Sequence, residues 1–109
     1  MPEKATVLTE AAYYILLSLY EPLHGYGIMR KVAAMSDGRV QLGAGTLYGA
    51  LATLVERGWI SEGAQYERKK EYLITALGRQ AVDTEISRLA ELLSNGQAVT
   101  GLGDRRNHD

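Results

Sequence analysis

Between Leu42 and Ile60 the chain reads LGAGTLYGALATLVERGWI, a small-residue loop, one amphipathic helix, a stop and the first residues of a strand. Leu47, Leu51 and Leu54 recur at the i, i+4 and i+7 spacing that gathers three side chains on one helical face, and Gly58 is the residue type that commonly ends a helix. That face is expected to be buried. The opposite side carries Thr46, Tyr48, Gly49, Ala52, Thr53 and Arg57, mostly small groups with one tyrosine. Such a surface suits close approach to another molecule better than simple solvation.

Working outward, a helix is expected to start at Leu8-Thr9, with Thr9 as cap, Glu10 in the first turn and Leu8 stapled on Tyr13. Ala12, Leu16 and Leu19 follow at helical spacing, and Pro22 is expected to end it. His24-Gly25-Tyr26-Gly27 opens a second helix with Ile28, Val32 and Met35 on one face, stopped by Ser36-Asp37-Gly38. Arg39 to Leu42 reads as a brief extended piece. The third helix spans residues 44–57.

Beyond Gly58, residues 59–62 and 70–74 are β-prone and separated by Gly63 to Lys69, so an antiparallel hairpin with a basic tip follows. Alternation puts Tyr72 and Ile74 on one side of it. Thr75 caps a fourth helix, expected to run to about Asn95-Gly96. Val82, Ile86, Leu89 and Leu93 form a coiled-coil-like seam along it, which serves either the chain's own core or self-association. Residues 96–109 lack an apolar pattern and read as a disordered tail.

With 109 residues, of which 46% are hydrophobic, the chain suits one compact unit. It contains no cysteine and only His24 and His108 as imidazoles, which excludes thiolate chemistry and a structural zinc site. No nucleophile–base pair, metal set or phosphate loop appears, so neither a catalytic residue nor a cofactor is assigned and an enzyme is not expected. His24, alone in a turn, reads as solvated or capping. No apolar run approaches the ~20 residues that cross a bilayer, and a cytoplasmic protein is expected. The formal charge is −1, but residues 22–79 hold eight Lys and Arg against five Asp and Glu, while both flanks are acidic. The basic surplus coincides with the third helix and the hairpin.

Three helices, a hairpin and another helix give an α+β, mostly α fold: a winged helix-turn-helix over residues 1–74, then a C-terminal helix over 75–95. In that architecture the third helix enters the major groove of double-stranded DNA and the hairpin, or wing, lies along adjacent backbone. Bare N–H groups after Gly43-Ala44-Gly45 can face a phosphate, and Thr46 and Tyr48 supply hydroxyl donors. Arg68, Lys69 and Lys70 meet phosphates as charges.

The runs LTEAAYYILLSLYEPLHGYGIMRKV, GAGTLYGALATLVERGWI and KKEYLITALGRQAV resemble the PadR family of transcriptional regulators over about residues 8–95. Three motifs occur in order: H-G-Y-G-I, G-T-L-Y-G-A-L and Y-x-I-T-x-x-G. The resemblance implies a homodimeric regulator, most commonly a repressor, on an inverted-repeat operator. It gives Tyr26 a role on the DNA backbone, and assigns Gly45, Thr46 and Tyr48 to the recognition helix and Lys69 and Lys70 to the basic wing. It also implies a dimer built by the last helix with the first, through Val82, Ile86, Leu89 and Leu93, and a small aromatic effector between subunits. Trp59 has no assigned role beyond packing under the fourth helix, or lining a pocket or a subunit contact. The competing function is a winged-helix protein-interaction module without DNA binding.

Overall fold

The computed structural model describes residues 7–102. Helix α1 (Glu10–Ser18) is followed by a two-residue strand β1 (Leu23–His24), α2 (Gly25–Met35), α3 (Ala44–Glu56), strands β2 (Ile60–Tyr66) and β3 (Lys69–Ile74), and α4 (Ala76–Thr100). The three strands form one antiparallel sheet in the order β1-β3-β2. This is a winged helix.

The helices start where their caps place them. Thr9 accepts the N–H of Ala12 at 3.0 Å, and Thr75 accepts that of Gly78 at 3.0 Å while donating to the Gly58 carbonyl at 2.7 Å. Each cap satisfies a donor that has no partner inside its helix. Gly58, at φ 77°, closes α3 as the sequence predicts.

Three places add to or correct the expectations. The first helix stops at Ser18, short of Pro22, and the Leu19 carbonyl accepts the N–H of Ile74 at 2.9 Å. That bond ties the end of α1 to β3, and the chain then runs through Pro22 into β1. The piece at residues 39–42 pairs with no strand. Instead the buried Ser36 hydroxyl accepts the Val40 N–H at 2.9 Å, and Arg39 pairs with Glu10 of α1. The fourth helix does not end at Asn95-Gly96 but continues to Thr100, with Gly101 at φ 70° as its terminator. One interior glycine costs a helix only about 1 kcal/mol, and Gln97 and Ala98 tolerate helix well. Residues 97–100 are therefore helical rather than tail, and 103–109 lie outside the described residues.

The core joins α1 (Ile15, Leu16), α2 (Ile28, Val32), α3 (Leu47, Leu51, Leu54), the sheet (Ile60, Tyr72, Ile74) and α4 (Val82). Gly78 brings α4 against this core. A Cβ at that position would overlap the Trp59 carbonyl oxygen and lie 2.7 Å from Ile74 Cγ1. The glycine of the Y-x-I-T-x-x-G run is thus a packing requirement where helix meets hairpin.

Candidate nucleic-acid interface

The leucine stripe of α3 lies fully inside, so its remaining circumference faces outward as expected. Gly45, Thr46, Gly49, Ala52 and Thr53 are all exposed, and nothing lies within 4 Å of where a Cβ of Gly45 or Gly49 would be. Gly43 makes no side-chain cap, and the first backbone bond into it comes from the Leu47 N–H at 2.9 Å. The N–H groups of residues 44–46 therefore point out of the helix start, where the dipole is positive.

Tyr48 sits on one flank of this face, not at its crest. Its ring packs over Gly25, where a Cβ would stand 2.9 Å from Tyr48 Cζ, and it remains about 50% exposed. The glycine at the head of α2 leaves room for the tyrosine of α3, a long-range dependence that neither motif reveals alone. Tyr26 is 60% exposed beside it, with the Arg30 guanidinium 5.7 Å from its ring centroid. On the other side Tyr72 is buried, which pushes its hydroxyl pKa up, so it remains a donor at neutral pH.

The wing is longer than the sequence suggested. Its strands reach Tyr66 and Lys69, pair with each other there, and leave Glu67-Arg68 as the turn, with Glu67 at φ 56°. Two residues of β2, Gly63 and Ala64, stand opposite Glu71, a bulge that increases the local twist. Arg68 and Lys69 are exposed and make no ion pair among the described residues. Lys70 differs: it lies within β3, half-buried, with its ammonium 3.4 Å from Glu62. Its charge is partly answered inside the wing.

The seam proposed for α4 divides in two. Val82 is 1% exposed and belongs to the chain's own core, leaving no surface for a partner, which removes it from the interface set. Ile86, Leu89 and Leu93 stay exposed, joined by Leu92. Immediately before Ile86, Glu85 is buried and bound to Arg88 by bonds of 2.5 and 2.9 Å, which lower the pKa of its carboxyl. A glutamate one residue before an isoleucine on an amphipathic helix looks solvated in the sequence. Only the packing of α1 against α4 encloses it. Among the described residues, no group of three or more His, Asp or Glu could hold a metal ion, and no helix is long and apolar enough to cross a membrane.

With this geometry in place, comparison with known proteins gives a consistent result. Residues 15–84 match the transcriptional regulator PadR-like family. An uncharacterized 37.1 kDa protein in transposon Tn4556 of Streptomyces fradiae is 33% identical over 84 residues, 76% of this chain. The chain spans only 24% of that relative's length. Among solved structures, the complex structure of hsRosR-S1 superposes with a TM-score of 0.64 at 30% identity, covering 92% of this chain and 83% of the other. RosR of H. salinarum gives 0.66 at 23% identity over 88% and 99%. A PadR-like transcription factor from Bacteroides fragilis gives 0.66 at 22% identity over 83% and 88%. The chain belongs to the PadR-like family of transcriptional regulators.

Proposed function

We propose that the chain acts as a homodimeric, ligand-responsive repressor that binds an inverted-repeat operator through α3 and the β2–β3 wing. The reading is supported by two exposed surfaces: the small-residue face of α3, whose one cation, Arg57, stands at its end, and Arg68 and Lys69 at the tip of the wing. A small-residue helix lets backbone approach base edges and phosphates closely, and the wing cations add affinity without reading sequence. Tyr26 and Tyr48 flank the approach with hydroxyl donors.

A helix with little positive charge of its own binds better in pairs, and the exposed Ile86, Leu89 and Leu93 offer a second copy an apolar seam. Two-fold symmetry then sets two recognition helices about one DNA turn apart. Light scattering should give a mass near twice 11.9 kDa at micromolar concentration. Ile86→Glu with Leu89→Glu should reduce it to one chain, because the charges would enter an apolar contact. Selection of bound sequences from random duplex DNA should recover an inverted repeat; recovery of no common sequence would count against the reading.

The alternative is a protein-docking module without DNA binding. The formal charge of −1 and the neutralisation of Lys70 by Glu62 favour it. It predicts no salt-dependent affinity for duplex DNA.

A further inference from the structure

The cations of the wing follow one another in sequence but do not stand alike. Strand register sets Glu62 directly opposite Tyr72, and Lys70 precedes Tyr72 by two residues on β3, so these three side chains share one face of the hairpin. Lys69 and Glu71 lie on the other face. The shared face looks toward the core and α3: Tyr72 is buried, and besides that burial its hydroxyl feels the charges of Lys70 and Glu62 and, from α3, Tyr48. There the Lys70 ammonium stands 3.4 Å from a Glu62 carboxylate oxygen, with the two side chains 38% and 46% exposed. An exposed pair of this kind adds little to stability. The effect of Glu62 therefore lies in where it puts a negative charge, beside the one wing cation that is nearest to α3.

We propose that Glu62 is a specificity-determining residue of the DNA interface: its carboxylate keeps Lys70 from phosphates in loose, sequence-independent complexes and yields it only when α3 is fully seated. This inference rests on the DNA-binding part of the proposed function. A phosphate and a carboxylate compete for the same ammonium. In a loose complex the DNA backbone meets the exposed Arg68 and Lys69 at the end of the wing, and Lys70 keeps its partner. A seated α3 carries the backbone up to Tyr48, and so to the face of the hairpin that holds Lys70. There a phosphate, reinforced by its neighbours along the strand, displaces a carboxylate that is half in solvent and screened by it. Discrimination gains as much from weakening wrong complexes as from strengthening the right one, and a single acid beside a phosphate-binding lysine does the former. It also gives a use to an acid that lowers the net attraction of the wing.

The test is anisotropy of the full chain across a range of salt, with a selected duplex and with a random-sequence duplex, beside a thermal melt that checks each variant is folded. Glu62→Gln should bind the random duplex roughly three- to fivefold more tightly, the factor for one exposed charge interaction in water. Its slope of log affinity against log salt should be steeper there by about 0.9, for the phosphate that Lys70 gains. On the selected duplex the gain should be at most about twofold, because Lys70 is already released in that complex. Glu62→Gln with Lys70→Gln should lose the gain on the random duplex, and Glu71→Gln, the same change of charge on the opposite face, should not show it. Equal gains on both duplexes would overturn the proposal, as would an unchanged random-duplex affinity in Glu62→Gln or an equal gain in Glu71→Gln. A parent that binds neither duplex defeats the DNA-binding reading and this inference with it, whereas a parent that binds while Glu62→Gln behaves as the parent does defeats this inference alone.

Discussion

Helix α3 and the wing are neighbours, α3 packing against β2, yet they are built on opposite principles. Three leucines of α3 are 0–3% exposed, so its position is fixed by the core, and its outer face carries almost no charge. In β2 every residue after Ile60 is exposed, so the arm is held by ladder hydrogen bonds and carries its cations at the end. The difference teaches where precision and attraction come from in this chain. A rigid, small-residue helix defines the shape of contact, and a solvated arm provides the pull.

The contrast breaks most severely by removing the support under α3. Leu51→Ala should cost about 2–5 kcal/mol, the range for deleting a buried leucine side chain, measured as a shift of the urea midpoint. Gly78→Ala should follow at about 1–3 kcal/mol, because a methyl group there meets the Trp59 carbonyl and Ile74, neither of which is the free end of a flexible chain. By the same measure, Arg68→Ala with Lys69→Ala should stay within about 0.5 kcal/mol of the parent, as for other surface changes.

A subtler variant separates position from stability. At Gly25 an added methyl group meets only the end of the Tyr48 side chain, and alanine is the better helix former by about 0.5–1 kcal/mol, so Gly25→Ala should melt close to the parent. Its duplex affinity should nonetheless fall, because the Tyr48 ring is pushed from its place. Fluorescence anisotropy with a selected duplex, beside a thermal melt, reads both quantities. Unchanged affinity would mean that Tyr48 is only packing.

The smallest effect concerns pH. Arg88 lowers the folded-state pKa of Glu85, so the pair contributes stability above the unfolded glutamate value, about 4.3. That contribution is lost as pH falls through the lower, folded value. Stability should decline on acidification below that point, and Glu85→Gln should decline less steeply in urea melts across the same range.

Much of this division was legible in the residues. The leucine period of α3, the Thr9 and Thr75 caps and the Gly58 stop are local signals, and local physics decides them. What escaped depended on partners distant in sequence. Strand β1 exists because Leu23 and His24 pair with Tyr72 and Glu71, and two residues alone carry no strand signal. The wing extends to Tyr66 because Lys69 and Lys70 pair across a bulge, which alternation cannot foresee. Val82 and Ile86 look equivalent along the stripe of α4, but only Val82 lies beneath the rest of the fold. Lys70 reads as a free cation in the run Arg68-Lys69-Lys70, until hairpin register sets it near Glu62. The dependence of Tyr48 on Gly25 likewise joins two motifs that the sequence keeps separate.

The most direct test of the account is the salt dependence of binding to a selected duplex, for the parent and for Arg68→Ala with Lys69→Ala. Each lost phosphate contact should reduce the slope of log affinity against log salt by about 0.9, so the double variant should be shallower by roughly 2 while preferring the same sequence. A parent whose affinity is independent of salt, or a double variant with an unchanged slope, would contradict the claim that the wing supplies the attraction that α3 lacks.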